Sequence, residues 1–328
     1  MNHSTLLTGI KPTGVPHLGN YIGAIQPALE KIQNLKGQSY LFIADYHALT
    51  TLPDPQEFKQ NVYEVTSAWL ACGTDPNKTI IYKQSDIPEL FELYWVLSCL
   101  TPKGLLNRSH SYKAHIQEKK EDFQIQMGVF NYPILMAADI LLFQSDFVPV
   151  GSDQLQHLEI TRDLAGKFNH TFKTSLMVPP EPLKEEQTSL PGIDGRKMSK
   201  SYNNHIPLFC SSEELKKKIM KIKTDSLPPT APKDPQASIV FQIYKEFADA
   251  QQIQDLEHKL KKGCSWGEVK LELFELLEKK FQTQKETYQE FLSNKKKLDQ
   301  ILNEGAVKAR IKAKEFMQQV RKTTGIIH

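Results

Sequence analysis

Thr8-Gly9-Ile10-Lys11-Pro12-Thr13-Gly14-Val15-Pro16-His17-Leu18-Gly19-Asn20 is the stretch on which the fold turns. Before it, the apolar run from Thr5 to Ile10 reads as a short buried strand, stopped by a glycine and a proline. After it, Ile22, Ile25, Leu29 and Ile32 recur at spacings of three and four, a helical pattern that His17, Gly19 and Asn20 open. A strand, a tight turn and a helix start make an anion site, because the first amide N–H groups of a helix have no partner within it. The turn has neither the GxxxxGK[ST] pattern of a P-loop nor the GxGxxG fingerprint. It offers an imidazole, a bare glycine backbone and a carboxamide at the helix mouth, a set suited to a triphosphate whose charge rises during reaction.

Strand and helix signals keep alternating through residue 170, which predicts parallel βαβ units. Ser39 to Ala44 reads as a buried strand ending in Asp45-Tyr46-His47. Ligands of open α/β sheets bind beyond the strand carboxyl ends, so Asp45 and His47 are expected at a substrate. A helix is predicted from Pro55 to Cys72, a strand from Lys78 to Tyr82, and a helix from Pro88 carrying Leu93, Val96, Leu97 and Leu100. In the second part no strand pattern competes. Ser211-Ser212-Glu213-Glu214 is a helix start, and Pro228, Pro229, Pro232 and Pro235 mark 224–235 as a connector. Helical spacing follows, punctuated by Gly263, Gly267 and Gly305.

The 328 residues are 40% hydrophobic and 24% charged, an ordinary globular composition with room for two domains. No run of 18 apolar residues suggests a membrane span, and Met1-Asn2-His3-Ser4 does not open a signal peptide. Cys72, Cys99, Cys210 and Cys264 show no CxxC spacing, which argues against a zinc site or disulfide framework and fits a reduced, cytoplasmic setting. Residues 211–328 hold 23 Lys+Arg against 17 Asp+Glu, whereas residues 1–210 hold 18 against 21. A basic second part suits an RNA-gripping region attached to a small-molecule enzyme; a solvated lysine-rich helical surface accounts for it equally.

Three segments carry chemistry. Tyr132 to Phe143 reads as a buried helix with a proline near its start and one carboxylate, Asp139, in its middle. A buried carboxylate is costly without donors. Asp139 therefore pairs with an arginine or caps a loop, or it accepts a hydrogen bond from an apolar substrate, such as an indole N–H or a phenol O–H. Residues 103–125 form a basic, aperiodic loop with Lys103, Arg108, Lys113, Lys119 and Lys120, either closing over a site or merely solvated. Gly195-Arg196-Lys197-Met198-Ser199-Lys200-Ser201 sets two lysines and two hydroxyls at fixed spacing. Taken singly, His17 is a polar residue at a helix start and Lys197 to Ser201 a basic loop.

Together, in this order, they resemble the two signatures of class I aminoacyl-tRNA synthetases. Met136 to Leu142, followed by Val148-Pro149-Val150-Gly151-Ser152-Asp153-Gln154, is similar to the tryptophanyl branch of that family. The resemblance implies a Rossmann-like doubly wound parallel-sheet catalytic domain over 1–205. It also implies an all-helical anticodon-binding region over 206–328, its last helix, about 304–322, returning to the catalytic domain. The implied reaction is activation of L-tryptophan by ATP, with magnesium on the phosphates, then transfer to tRNA(Trp). The catalytic set it implies is His17, Asn20, Lys197, Lys200 and Ser201. Lys11, Pro12, Thr13, Gly19, Gly151, Ser152, Asp153, Leu190, Met198, Ser199 and Lys113 would join these around ATP. Gly9, His47, Tyr132, Met136, Asp139, Val148 and Gln154 would hold tryptophan. No dedicated metal cage, membrane or DNA is implied; a homodimer is. Lys11, Leu7 and His17 depart from the commonest residues of that branch, glutamine, an aromatic and threonine. A tyrosyl enzyme and a non-catalytic tRNA-binding relative are the alternatives.

Overall fold

The computed structural model describes residues 4–51, 53–109, 112–113, 125–149, 151, 154–183 and 189–326, without the side chains of 182 and 183. Five parallel strands form one sheet: β1 (Ser4–Ile10), β2 (Gly37–Ile43), β3 (Thr79–Lys83), β4 (Phe147–Pro149) and β5 (Glu181–Leu183). Their order is β3-β2-β1-β4-β5, so the winding reverses between β1 and β4. The doubly wound α/β class is therefore as predicted. β4 and β5 carried no strand signal of their own; at three residues each they are held by pairing, Phe147 opposite Leu6 and opposite Glu181.

Because strand side chains alternate between faces, one strand feeds two cores. Leu41 and Ile43 pack with Trp69 of α2 (Pro55–Ala71) on one side. Tyr40 and Phe42 pack on the other, with α3 (Glu89–Leu100), α4 (Met127–Leu142) and α5 (Leu155–Phe172). The helix that opens after β1 runs Leu18–Asn20, then a π-helical turn Tyr21–Ile25, then α1 (Gln26–Asn34). Asp54 caps α2 by accepting from the Gln56 and Glu57 amides, with Pro55 in its first turn. α4 begins at Met127, so Pro133 lies inside it and not near its start.

The second part is helical: α6 (Ser212–Met220), α7 (Ile239–Tyr244), α8 (Ala250–Lys262), α9 (Trp266–Ser293) and α10 (Lys295–Thr324). α9 joins the first core, where Phe281 meets Tyr21 edge-on at 5.0 Å between centroids. α10 starts earlier than the sequence pattern suggested and lies on the second core with Ala309, Ala313 and Phe316. It covers the edge of the sheet along β3, where unpaired strand groups would otherwise be open. Gly305, read as punctuation, is interior to that helix. A Cβ there would stand 1.8 Å from the Ile81 carbonyl oxygen, so only a bare backbone permits the contact. Arg310 clamps Glu89 at 2.9 Å, and Arg321 pairs with Glu92, tying α10 to α3. Among the described residues no helix is long and apolar enough to cross a membrane.

Gly305→Ala should therefore push α10 off β3 and lower the thermal midpoint, at a cost on the order of 3 kcal/mol or more. Gly166→Ala, inside α5 with nothing within 4 Å of the added carbon, should instead stabilise slightly. Circular-dichroism melts of the two variants check the contrast.

Candidate active site

Beside the point where the winding reverses, a cavity of about 350 Å³ opens near the strand carboxyl ends. Leu7, Ile10, Phe42, Ala44, Met136, Ile140 and Val148 make its lining largely apolar, and the π-helical turn contributes Gly23 and Ala24. All seven residues expected around an amino acid line it: Gly9, His47, Tyr132, Met136, Asp139, Val148 and Gln154. Lys11 and Gly151 line it too, and the Lys11 ammonium stands 5.7 Å from the Tyr132 ring centroid. The Tyr132 hydroxyl meets Nε2 of buried His157.

Asp139 is 3% exposed and is served from two strand ends. His47 Nε2, beyond β2, donates to its Oδ2 at 2.8 Å. Gln84 Nε2, immediately after β3, stands 2.9 Å from each of its oxygens. Gln84 Oε1 accepts the His47 backbone N–H at 3.3 Å, which orients the amide. Burial pushes the Asp139 carboxyl pKa up, while the His47 and Gln84 hydrogen bonds pull against it. A carboxylate has roughly four acceptor positions. Capacity therefore remains for one more N–H or O–H presented from an otherwise apolar cavity.

A second cluster joins the two signature segments. His17 caps the opening helix: its Nδ1 accepts the Asn20 N–H at 3.2 Å, while Asn20 Oδ1 accepts the His17 N–H at 3.1 Å. With Nδ1 accepting, the neutral ring carries its proton on Nε2. Burial, then the nearby charges of His205 and Lys200, bring the His17 pKa down to about 4, so the ring is neutral at physiological pH. His17 pairs with Pro207 as an antiparallel bridge, and the Leu18 N–H donates to the Ile206 carbonyl at 3.0 Å. Lys200 reaches across to donate to the Thr13 carbonyl. Glu64 on α2 sits behind that turn, accepting the Val15 N–H at 3.1 Å. Burial lowers the Lys200 pKa, and the Glu64 charge opposes that fall.

The remaining sequence candidates are placed unevenly. Pro12 is buried and Thr13 exposed in the turn, and Gly19 follows Leu18 in the helix mouth. Leu190 and Met198 are 2% and 3% exposed and pack in the core, so in this state Leu190 anchors the loop and offers no open face to a base. Lys197 is exposed; Ser199 Oγ accepts the Ser201 N–H at 3.2 Å and caps the turn Lys200–Tyr202. Lys113 is exposed and is not among the residues lining the cavity. Ser152 and Asp153 lie outside the described residues.

Asp45 is corrected. It is buried and accepts from the Ser85 N–H at 3.0 Å and from the Ser85 hydroxyl, stapling the ends of β2 and β3 together instead of lining the cavity. Sequence reasoning missed Gln84 and Glu64. The carboxyl-end rule applied to β2 would have found Gln84 had it been applied to β3 as well; Glu64 has no local signal.

The family described as class I tRNA synthetases (W and Y) matches residues 1–282. A tryptophan–tRNA ligase of Neisseria meningitidis is 44% identical over 332 residues, covering 99% of both chains. One from Pseudomonas aeruginosa is 45% identical over 329 residues, 98% of this chain and 73% of its own. A Campylobacter jejuni tryptophanyl-tRNA synthetase solved with ADP and tryptophan superposes with a TM-score of 0.91 at 42% identity, covering 98% of this chain and 99% of that one. A tyrosyl-tRNA synthetase from Aeropyrum pernix is 17% identical with a TM-score of 0.63, a likeness of fold alone.

A folded His17 pKa of about 4, against an ordinary 6.5, means the native state binds fewer protons than the unfolded chain in between. Its stability contribution is complete above pH 6.5 and is lost as pH falls towards 4. His17→Asn keeps a capping side chain but removes the titration. Urea midpoints of the two proteins should shift in favour of the variant on acidification through that window.

Proposed function

We propose that this chain, which belongs to the class I tRNA synthetases of the tryptophan and tyrosine family, activates L-tryptophan with ATP and transfers it to tRNA(Trp). The observation that carries the reading is Asp139, one buried carboxylate with acceptor capacity to spare in a largely apolar cavity. An indole ring fills apolar space and presents a single N–H, which is the hydrogen bond such a site lacks. The tryptophan relatives, identical at 44–45% over nearly the whole chain, support this choice over tyrosine.

In the reaction the amino-acid carboxylate attacks the α-phosphorus and pyrophosphate leaves. The work is positioning and electrostatic stabilisation of charge on the phosphates. Asn20 and the neutral His17, with its proton on Nε2, donate from the helix mouth. Lys197, Lys200 and Ser201 approach from the opposite side, Lys200 exchanging the Thr13 carbonyl for a phosphate oxygen. Apart from Glu64, which is engaged by the Val15 N–H behind the turn, the groups gathered there are cations and neutral donors, a set that matches phosphate better than a metal. Magnesium would come bound to the phosphates of ATP and neutralise part of their charge, and Gly151 would border the nucleotide. Residues 1–205 carry this chemistry, and the basic helices of 206–328 grip the tRNA.

The protein works as a homodimer. Trp95 (68%) and Phe91 (40%) are exposed on the same helix, and Leu49 (45%) and Met127 (64%) are exposed on elements beside it, a group of large apolar side chains of the kind that marks an interface. α3, which bears Trp95, packs its other side on α4, which bears Asp139. Trp95→Glu should yield a monomer in light scattering.

Amino-acid-dependent ATP–pyrophosphate exchange tests the activity. Exchange with tryptophan, and not with tyrosine or phenylalanine, is expected. Asp139→Asn should weaken tryptophan binding roughly 10- to 100-fold, the worth of a hydrogen bond to a charged group. Exchange with tyrosine alone would overturn the specificity, and no exchange would favour a tRNA-binding role without catalysis.

A further inference from the structure

The loop that bears Lys197 and Lys200 is held from within by one buried amide. Asn204 is 1% exposed. Its Oδ1 accepts the Ser199 N–H at 2.8 Å. Its Nδ2 donates to Asp194 Oδ1 at 2.7 Å and to the Lys197 carbonyl at 3.1 Å. Its backbone carbonyl accepts the Ile193 N–H at 2.9 Å. The orientation of the amide follows from its partners, since the Ser199 N–H only donates while a carbonyl and a carboxylate only accept. Gly192 makes room: a Cβ there would sit 2.4 Å from the Asn204 side chain.

These contacts bracket both lysines. One grips the backbone of Lys197, another the residue before Lys200, and Asp194 ties the far side of the hairpin, where Arg196 Nε also donates to it at 2.8 Å. Met198, between the lysines, is buried in the core, its N–H donated to the Leu190 carbonyl at 2.9 Å. Every hydrogen-bonding arm of the Asn204 amide therefore acts on the loop.

We propose that Asn204 is a positioning residue for adenylate formation: it fixes the loop backbone so that Lys197 and Lys200 meet the phosphates as one preformed pair. The inference rests on the activation reaction proposed above. Stabilisation by fixed charges depends on placement, and a displacement of about 1 Å costs roughly a hundredfold in rate. Asn204→Asp keeps the shape but sets an oxygen against the Asp194 carboxylate and the Lys197 carbonyl, replacing two attractions with two repulsions. It touches nothing that lines the tryptophan cavity.

The test is tryptophan-dependent ATP–pyrophosphate exchange on the full chain, with tryptophan affinity by equilibrium dialysis. In Asn204→Asp, kcat should fall about a hundredfold while tryptophan Kd stays unchanged. Adding Asp194→Asn restores a donor across the same gap and should recover a substantial part of the lost kcat. Gly192→Ala, which presses on Asn204 without altering it, should lower kcat in the same way, and it carries the test if Asn204→Asp melts below assay temperature. Unchanged kcat in both variants, parallel loss of kcat and tryptophan binding, or no recovery in the double variant would each overturn the positioning role. An inactive wild-type chain would overturn instead the activation reading beneath it.

Discussion

A single carboxylate inside an apolar helix constrains this molecule most. Asp139 is nearly buried, where a carboxylate loses most of its hydration, so it must be met by donors that the helix itself does not carry. They come from residues just past two neighbouring parallel strands, His47 after β2 and Gln84 after β3. That requirement fixes α4 against the carboxyl edge of the sheet, and the cavity is the space left beside the carboxylate. Asp45 and Ser85 reinforce the arrangement by joining the same two strand ends. The stapling of the sheet and the shaping of the cavity are thus one hydrogen-bonded assembly, not two.

The turn proposed to hold phosphates depends on a different closure. The winding of the sheet reverses beside β1, which leaves the turn 11–17 uncovered by a neighbouring crossover. The chain returns to it nearly two hundred residues later, through the His17–Pro207 bridge and the Lys200 contact with Thr13. Here the turn faces a hairpin held by its own hydrogen bonds, Met198 N–H to the Leu190 carbonyl and Gly192 N–H to the Arg196 carbonyl. Two preformed surfaces with cationic and neutral donors between them are what a polyphosphate requires, because little reorganisation is left for the reaction itself. The helical region is packed into the same body: α9 enters one core and α10 closes the edge of the sheet on the other.

Much of this was legible in residues 8–20 and in the alternation that follows. β1, β2, β3 and the helices between them announce themselves by apolar periodicity, which is a local property. β4 and β5 do not, since three-residue strands are too short to show a period and exist only through their partners. Gly305 was misread for a related reason: a glycine in a helix looks like a break until the strand it touches is known. Asp45 followed the carboxyl-end rule in sequence but turned to Ser85 in space, and Gln84, which no periodicity marks, took the place beside Asp139.

By itself, then, the sequence determined the parallel α/β class, the helical second part, the two signature segments and the lone carboxylate, because each is written in neighbouring residues. The tertiary structure decided which donors reach Asp139, how deeply His17 is buried and where Lys200 rests. Those are contacts between segments separated by 92 residues in one case and 187 in another. Their geometry comes from the packing of whole elements, and no local pattern encodes it.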